Sequence, residues 1–215
     1  MRKNCKCRNK VASKQIAPPN YLIVCEGKQT EPNYFNGLRE KINKKYPDRV
    51  KIIPGIKILG TGLNTEGIVN YTKKYINQSS KIYGQVWIVF DKDDFSDEQF
   101  DNAIKLNEYN SAWSNPNFEL WILTHFKKVN KKLEKKDVMK EVQKEFKKSG
   151  LGEYKKNDSD IFKKLNENNR TQTAISNCKE MYKDVSNYIQ ESKKNPSTTV
   201  FMLVEDLSAY LEWFT

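Results

Sequence analysis

Two runs of the chain are apolar without interruption and of strand length, "YLIVC" at 21–25 and "VWIVF" at 86–90. Such runs predict strands covered on both faces, as in a parallel sheet. Helical spacing follows the first run. Pro32 falls in the first turn, with Thr30 or Glu31 as cap, and Tyr34, Phe35, Leu38 and Ile42 recur on one face. A further strand is expected within "VKIIPGIKIL" (50–59), interrupted by Pro54-Gly55, and then a helix carrying Ile68, Val69, Thr72 and Ile76. After "VWIVF", Asp97 is expected to cap a helix reaching about Asn107, and "SNPNFELWILTHF" reads as a helix with Asn115 as N-cap and Pro116 at its first position.

From Lys127 the text turns lysine-rich and helical, without clear strands, as far as about Asn166. A long polar helix is expected over 171–193. After Asn195-Pro196 comes a last helix whose stripe is Val200, Leu203, Val204, Leu207, Leu211 and Phe214. Residues 1–19 are polar and basic and end in Pro18-Pro19, which predicts a disordered arm. Strands alternating with helices and then helices alone predict an α/β fold: a single domain over 20–215, with an α/β core over about 20–126 and a helical part over about 127–215.

Composition narrows the class. Among 215 residues there are four cysteines (Cys5, Cys7, Cys25, Cys178), none in a C-x-x-C pair, and Cys5-Lys6-Cys7 lacks a second half for a zinc site. No apolar run reaches the roughly 20 residues of a membrane span, and "MRKNCKCRNK" has no apolar core of a secretory signal. The expectation is a cytoplasmic protein; nothing in the sequence sets its oligomeric state. The net charge of +11 is unevenly placed: six basic groups and no acid in 1–15, and 14 lysines against seven acids in 127–164. Such clusters attract polyanions, nucleic acid first among them, although a lysine-rich proteome would leave the same trace.

The acids carry the candidate chemistry. Glu26 follows "YLIVC", with Glu31 five residues on, and Asp91, Asp93 and Asp94 follow "VWIVF". In an open parallel sheet these positions share the carboxyl edge, where ligands bind, so Glu26 and Asp91 converge if their strands are neighbours. Alternate residues leaving a strand point the same way, so Asp91 and Asp93 could grip one ion. Carboxylates without Cys or His suit Mg²⁺ or Mn²⁺ rather than zinc; the same acids also read as ordinary loop chemistry. Glu119 sits among Phe118, Leu120, Ile122 and Leu123. A buried carboxylate there needs a partner, unless it only complements a helix dipole. His125, the single histidine, lies off the Glu119 face and reads as half-buried and structural. "EGKQT" lacks the first glycine of a phosphate-binding P-loop, and "GTGLNTEG" has Thr65 where a dinucleotide fingerprint needs its third glycine.

Four stretches, "YLIVCEGKQTEPNYF", "VWIVFDKDDF", "SNPNFELWILTHF" and "NPSTTVFMLVEDL", resemble in order and wording the RloB-like family, a bacterial group related to Toprim domains and to nucleases of the OLD type. The resemblance spans about residues 20–211. It departs at Asn117, where a small residue such as Cys is expected, and at Phe201, where His is expected. It implies a Toprim- or Rossmann-like, mostly parallel sheet with flanking helices. Glu26 then matches the first-motif glutamate, Asp91 and Asp93 the D-x-D, and Glu119 the later glutamate that such nucleases add for a second metal. Lys155 or Lys156 corresponds to a charge-stabilising lysine. The activity implied is Mg²⁺-dependent (or Mn²⁺-dependent) cleavage of DNA or RNA, tRNA included, as an effector of anti-phage defence by abortive infection, with an ATPase as partner. The alternative is a catalytically silent nucleic-acid-binding or regulatory subunit that acts through that ATPase. A small-molecule phosphotransferase finds no glycine-rich phosphate loop to support it.

Overall fold

The two apolar runs lie side by side. In the computed structural model, which describes residues 19–53, 66–92 and 95–211, β1 (Tyr21–Cys25) and β3 (Gln85–Asp91) pair in parallel, Cys25 opposite Val89. Strand β2 (Val50–Ile53) flanks β1, and β4 (Asn110–Asn115) flanks β3, both parallel; β5 (Ser197–Thr198) closes the far edge antiparallel. The order is β2-β1-β3-β4-β5. Every β1 side chain is fully buried, as an unbroken apolar run requires when helices cover both faces.

Helix α1 (Thr30–Lys45) packs Tyr34, Phe35, Leu38 and Ile42 with Ile23, Cys25 and Val89 on one face. Helices α2 (Glu66–Gln78) and α3 (Asp97–Lys105) cover the other, where Ile68, Phe100 and Ala103 meet Leu22, Val24, Ile88 and Phe90. The chain therefore runs outward from β1 to β2, crosses back to β3 and continues to β4. That reversal leaves a crevice between the carboxyl ends of β1 and β3, the topological switch point at which open α/β sheets bind ligands.

Helices α4 (Glu119–Thr124), α5 (Lys135–Lys148), α6 (Ile161–Asn166), α7 (Arg170–Asp184) and α8 (Val200–Ser208) join the α1 face, sharing one core with the sheet. The arm to residue 18, the Pro54-Gly55 interruption, "GTGLNTEG" up to Thr65, Asp93, Asp94 and Phe214 lie outside the described residues. Cys25 and Cys178 are free, buried thiols.

Several sequence expectations are corrected. The stretch before Pro116 is a strand, β4, not the cap of a helix. Its polar text hid it: Ser114 and Asn115 are buried because β5 and its approach satisfy them, through Ser114 Oγ to Thr198 Oγ1 at 2.9 Å and Asn115 Nδ2 donating to the Ser192 carbonyl at 2.9 Å. Asn115-Pro116 is cis, and α4 begins only at Glu119. Ser96, not Asp97, caps α3, in a reciprocal capping box with Gln99. Helix α1 starts at Thr30 itself, after Gln29, with no side-chain cap. The helix expected over 171–193 stops at Asp184, and the chain then turns back to α3. There Asp101 accepts from the Ser192 amide and hydroxyl, each at 2.8 Å.

Helices α1 and α6 cross at Gly37. A Cβ placed there would lie 2.6 Å from Cβ of Phe162, an atom fixed by its own backbone. Gly37→Ala is expected to overpack this crossing and cost about 2 kcal/mol despite the better helix propensity of alanine, read as a lowered midpoint in urea unfolding.

Candidate active site

Glu26 and Asp91 stand at the switch point. The sheet ladder carries one residue past β1, where the Glu26 amide donates to the Val89 carbonyl at 2.9 Å. In return the Asp91 amide donates to Glu26 Oε2 at 3.4 Å. The carboxylate that ends the first strand thus reaches the backbone that ends the third, and both side chains are only partly buried. The strands that carry Glu26 and Asp91 are neighbours, as the expected convergence required, and the bond that joins the two residues runs from the Asp91 backbone rather than from its carboxylate.

Glu119 follows β4 on the same edge and is 2% exposed. Its carboxylate is fully engaged. Asn117 Nδ2 donates to Oε2 at 2.5 Å, the Tyr154 hydroxyl donates to Oε1 at 3.1 Å, and Lys156 Nζ lies 3.0 Å from the same oxygen. The partner that burial demanded is therefore Lys156, whose side chain remains 48% exposed; Lys155 is exposed and lines a separate surface cleft with Asp158 and Lys164. Sequence reasoning misses the other two groups. Asn117 enters it only as a departure from the family pattern, and Tyr154 lies 35 residues from Glu119 in a loop, where no spacing rule reaches. That loop is shaped by Gly150 (φ 70°) and Gly152 (φ 79°), left-handed positions that let the chain double back from α5. Tyr154 is then held by its amide on Gln143 Oε1 at 3.1 Å and its ring against Phe146. Burial and the Glu119 carboxylate push the Tyr154 hydroxyl far above its ordinary pKa, so it serves as a donor at all ordinary pH.

Glu31 is more than a helix-start acid. It is 7% exposed, and its carboxylate folds back over Gly27, where a Cβ would come within 2.0 Å of it. It is near enough to add to the raised pKa of Cys25 and of Tyr154, both set chiefly by burial. Thr30, beside it, donates to the Lys156 carbonyl at 3.3 Å, tying α1 to the Tyr154 loop. Glu26, Glu31, Asp91 and Glu119 thus lie along one edge of the sheet.

Among the described residues, no three His, Cys, Asp or Glu side chains are grouped closely enough to hold a metal ion. Asp93, the third ligand expected, and Asp94 lie outside those residues. The donor chemistry present, two partly exposed carboxylates at the switch point, fits a hard divalent cation rather than a thiophilic one.

His125 is buried more deeply than its sequence reading, at 2% exposure. Nδ1 faces the Trp121 carbonyl at 2.9 Å, and Nε2 lies 3.5 Å from the Tyr34 hydroxyl. Burial lowers its pKa to about 4, so the ring is neutral in the fold. The unfolded chain protonates near the ordinary value of about 6.5, so this contribution to stability is complete above about pH 6.5 and is lost as the pH falls from there through about 4. Between about pH 8 and about pH 5.5 it amounts to about 1.4 kcal/mol. His125→Gln is expected to remove that increment from the pH dependence of urea unfolding.

The basic stretch 127–164 is mostly solvated charge. Lys127, Lys128, Lys140 and Lys164 pair with nearby acids. Lys131, Lys132, Lys136, Lys144, Lys147 and Lys148 are exposed and make no ion pair among the described residues. No helix among them is long and apolar enough to cross a membrane.

A family model described as RloB-like protein matches residues 21–207, most of the chain. Neither the curated proteins nor the solved structures compared with the chain gave a match.

Proposed function

The chain belongs to the RloB-like protein family, and from that premise we propose that it is a metal-dependent nuclease of Toprim type, cleaving phosphodiester bonds of DNA or RNA as an effector of anti-phage defence alongside a partner ATPase. The observation that carries the reading is the pairing of Glu26 and Asp91 across the switch point, joined by the Asp91 amide on Glu26 Oε2. Glu26 and Asp91, with Asp93, would hold Mg²⁺ or Mn²⁺. Bound there, such an ion supplies Lewis-acid polarisation of a phosphoryl oxygen and a lowered pKa for an attacking water.

The chain's own groups do the rest. The Asp91 amide orients the Glu26 carboxylate. Asn117, Tyr154 and Lys156 hold Glu119 fixed in direction at the same edge. Lys156, exposed at its outer end, offers a cation to a phosphate that enters over Glu119. The exposed Lys131, Lys132, Lys136, Lys144, Lys147 and Lys148 hold the polyanion backbone without reading sequence. The test is incubation of a supercoiled plasmid and of a tRNA pool with the protein and Mg²⁺ or Mn²⁺, with and without chelator. Cutting that is insensitive to chelator, or no cutting of either substrate with the ATPase partner added, overturns the reading.

A further inference from the structure

A cavity of about 530 Å³ opens where β3 and β4 end, one residue along the chain from Asp91. Lys92, which follows Asp91 on β3, and Asn115-Pro116, at the end of β4, form its inner wall. This volume lies in the ~300–1,000 Å³ range of small-ligand sites. Among the described residues its lining holds four lysines and two carboxylates. Asp97 is shared by Lys92 at 3.0 Å and Lys193 at 2.5 Å, and both hold its carboxyl below the usual range. Lys92 also donates to the Phe95 carbonyl at 2.7 Å and so belongs to the wall. Lys193, half exposed, remains available to a stronger anion because an exposed pair of this kind is weak. Lys132 is exposed and makes no ion pair among the described residues.

Tyr188 supplies what a simple anion site would not need. It is a large aromatic, 48% exposed, on the rim of a basic pocket, and it makes no ring contact among the described residues. Lysines beside an open aromatic face are the pairing that binds an unstacked nucleotide, phosphate to ammonium and base to ring. A duplex, whose bases are stacked inside, can use only the lysines.

We propose that this pocket seats one unstacked nucleotide of a single-stranded segment, its base on Tyr188 and its phosphate between Lys132 and Lys193, next to the bond held over Glu26 and Asp91. The inference rests on the nuclease reading for the identity of the polyanion, but not for its test. Binding of fluorescein-labelled 12-nucleotide single strands, DNA and RNA, and of a 12-base-pair duplex is measured by anisotropy in chelator with the full chain. Tyr188→Ala is expected to weaken single-strand binding about tenfold and leave the duplex within about twofold, while Tyr188→Phe binds as wild type. Lys132→Ala and Lys193→Ala should each flatten the slope of log affinity against log salt by about 0.7 for single strands. Tyr188 is at the surface, so an unchanged thermal midpoint excludes misfolding as the cause. Wild-type single-strand binding by Tyr188→Ala, or equal losses on single strand and duplex, overturns the subsite. If metal-dependent cleavage persists in that case, the nuclease reading stands without it. Tyr188-dependent single-strand binding by a chain that never cleaves supports the subsite and removes the nuclease reading instead.

Discussion

Glu26→Gln combined with Asp91→Asn is expected to reduce metal-dependent cleavage of nucleic acid by about 10³-fold or more, with little change in stability. The magnitude follows from losing the charge that holds a divalent ion, which is several kcal/mol of transition-state stabilisation, and each 1.4 kcal/mol is about tenfold in rate. Stability is spared because both side chains are partly exposed and the substitutions keep their shape. The carbonyl oxygen of the introduced glutamine can still accept from the amide at position 91, so the crevice keeps that bond. Each single variant should lose most of the activity, since the two act on one ion and their effects do not add. The measurement is nicking of supercoiled plasmid and cleavage of tRNA under Mg²⁺ and Mn²⁺, with oligonucleotide binding in chelator as the control. Equal cutting by wild type and double variant rejects the site. Salt-dependent binding by both without cutting by either favours a regulatory subunit that works through its ATPase.

The parts of this edge that are legible in the sequence share a cause. Unbroken apolar runs leave few alternatives to a doubly covered strand, so β1 and β3 can be read directly, and with them the acids that end each run. Strand β4 has the opposite text, "NSAWSN", and is buried through side-chain bonds to residues more than 75 positions away. Local pattern carries no trace of such partners. The same holds for Tyr154 and Asn117 around Glu119. Sequence can state that a buried carboxylate needs compensation, but which groups provide it depends on how the loop after α5 doubles back. Glu31 is undervalued by sequence because its place beside Pro32 has a sufficient local explanation, whereas its influence on the Tyr154 hydroxyl is tertiary.

Around Glu119 the order of effects on stability should be opposite to what exposure alone suggests. Lys156 is half exposed and Glu119 is buried, yet Lys156→Met is expected to be the more damaging change, at about 2 kcal/mol, against less than about 1 kcal/mol for Glu119→Gln. Removing the lysine leaves a buried carboxylate without its cation. The usual cost of such a break, about 3–5 kcal/mol, is reduced here because Asn117 and Tyr154 still donate to Glu119 and solvent already screens the Lys156 end. Removing the charge from Glu119 instead frees an ammonium that water can solvate, and a neutral amide can still accept from Tyr154 through its carbonyl. The double variant should therefore recover most of the stability lost in Lys156→Met, a coupling of about 1–2 kcal/mol in a double-mutant cycle by urea unfolding at neutral pH. Activity separates the remaining roles. If Glu119 acts at the scissile phosphate, Glu119→Gln loses cleavage while keeping its fold, and the double variant regains stability but not cleavage. Recovery of both together would make the Glu119 and Lys156 pair a structural element of the edge and leave Glu26 and Asp91 as its chemistry.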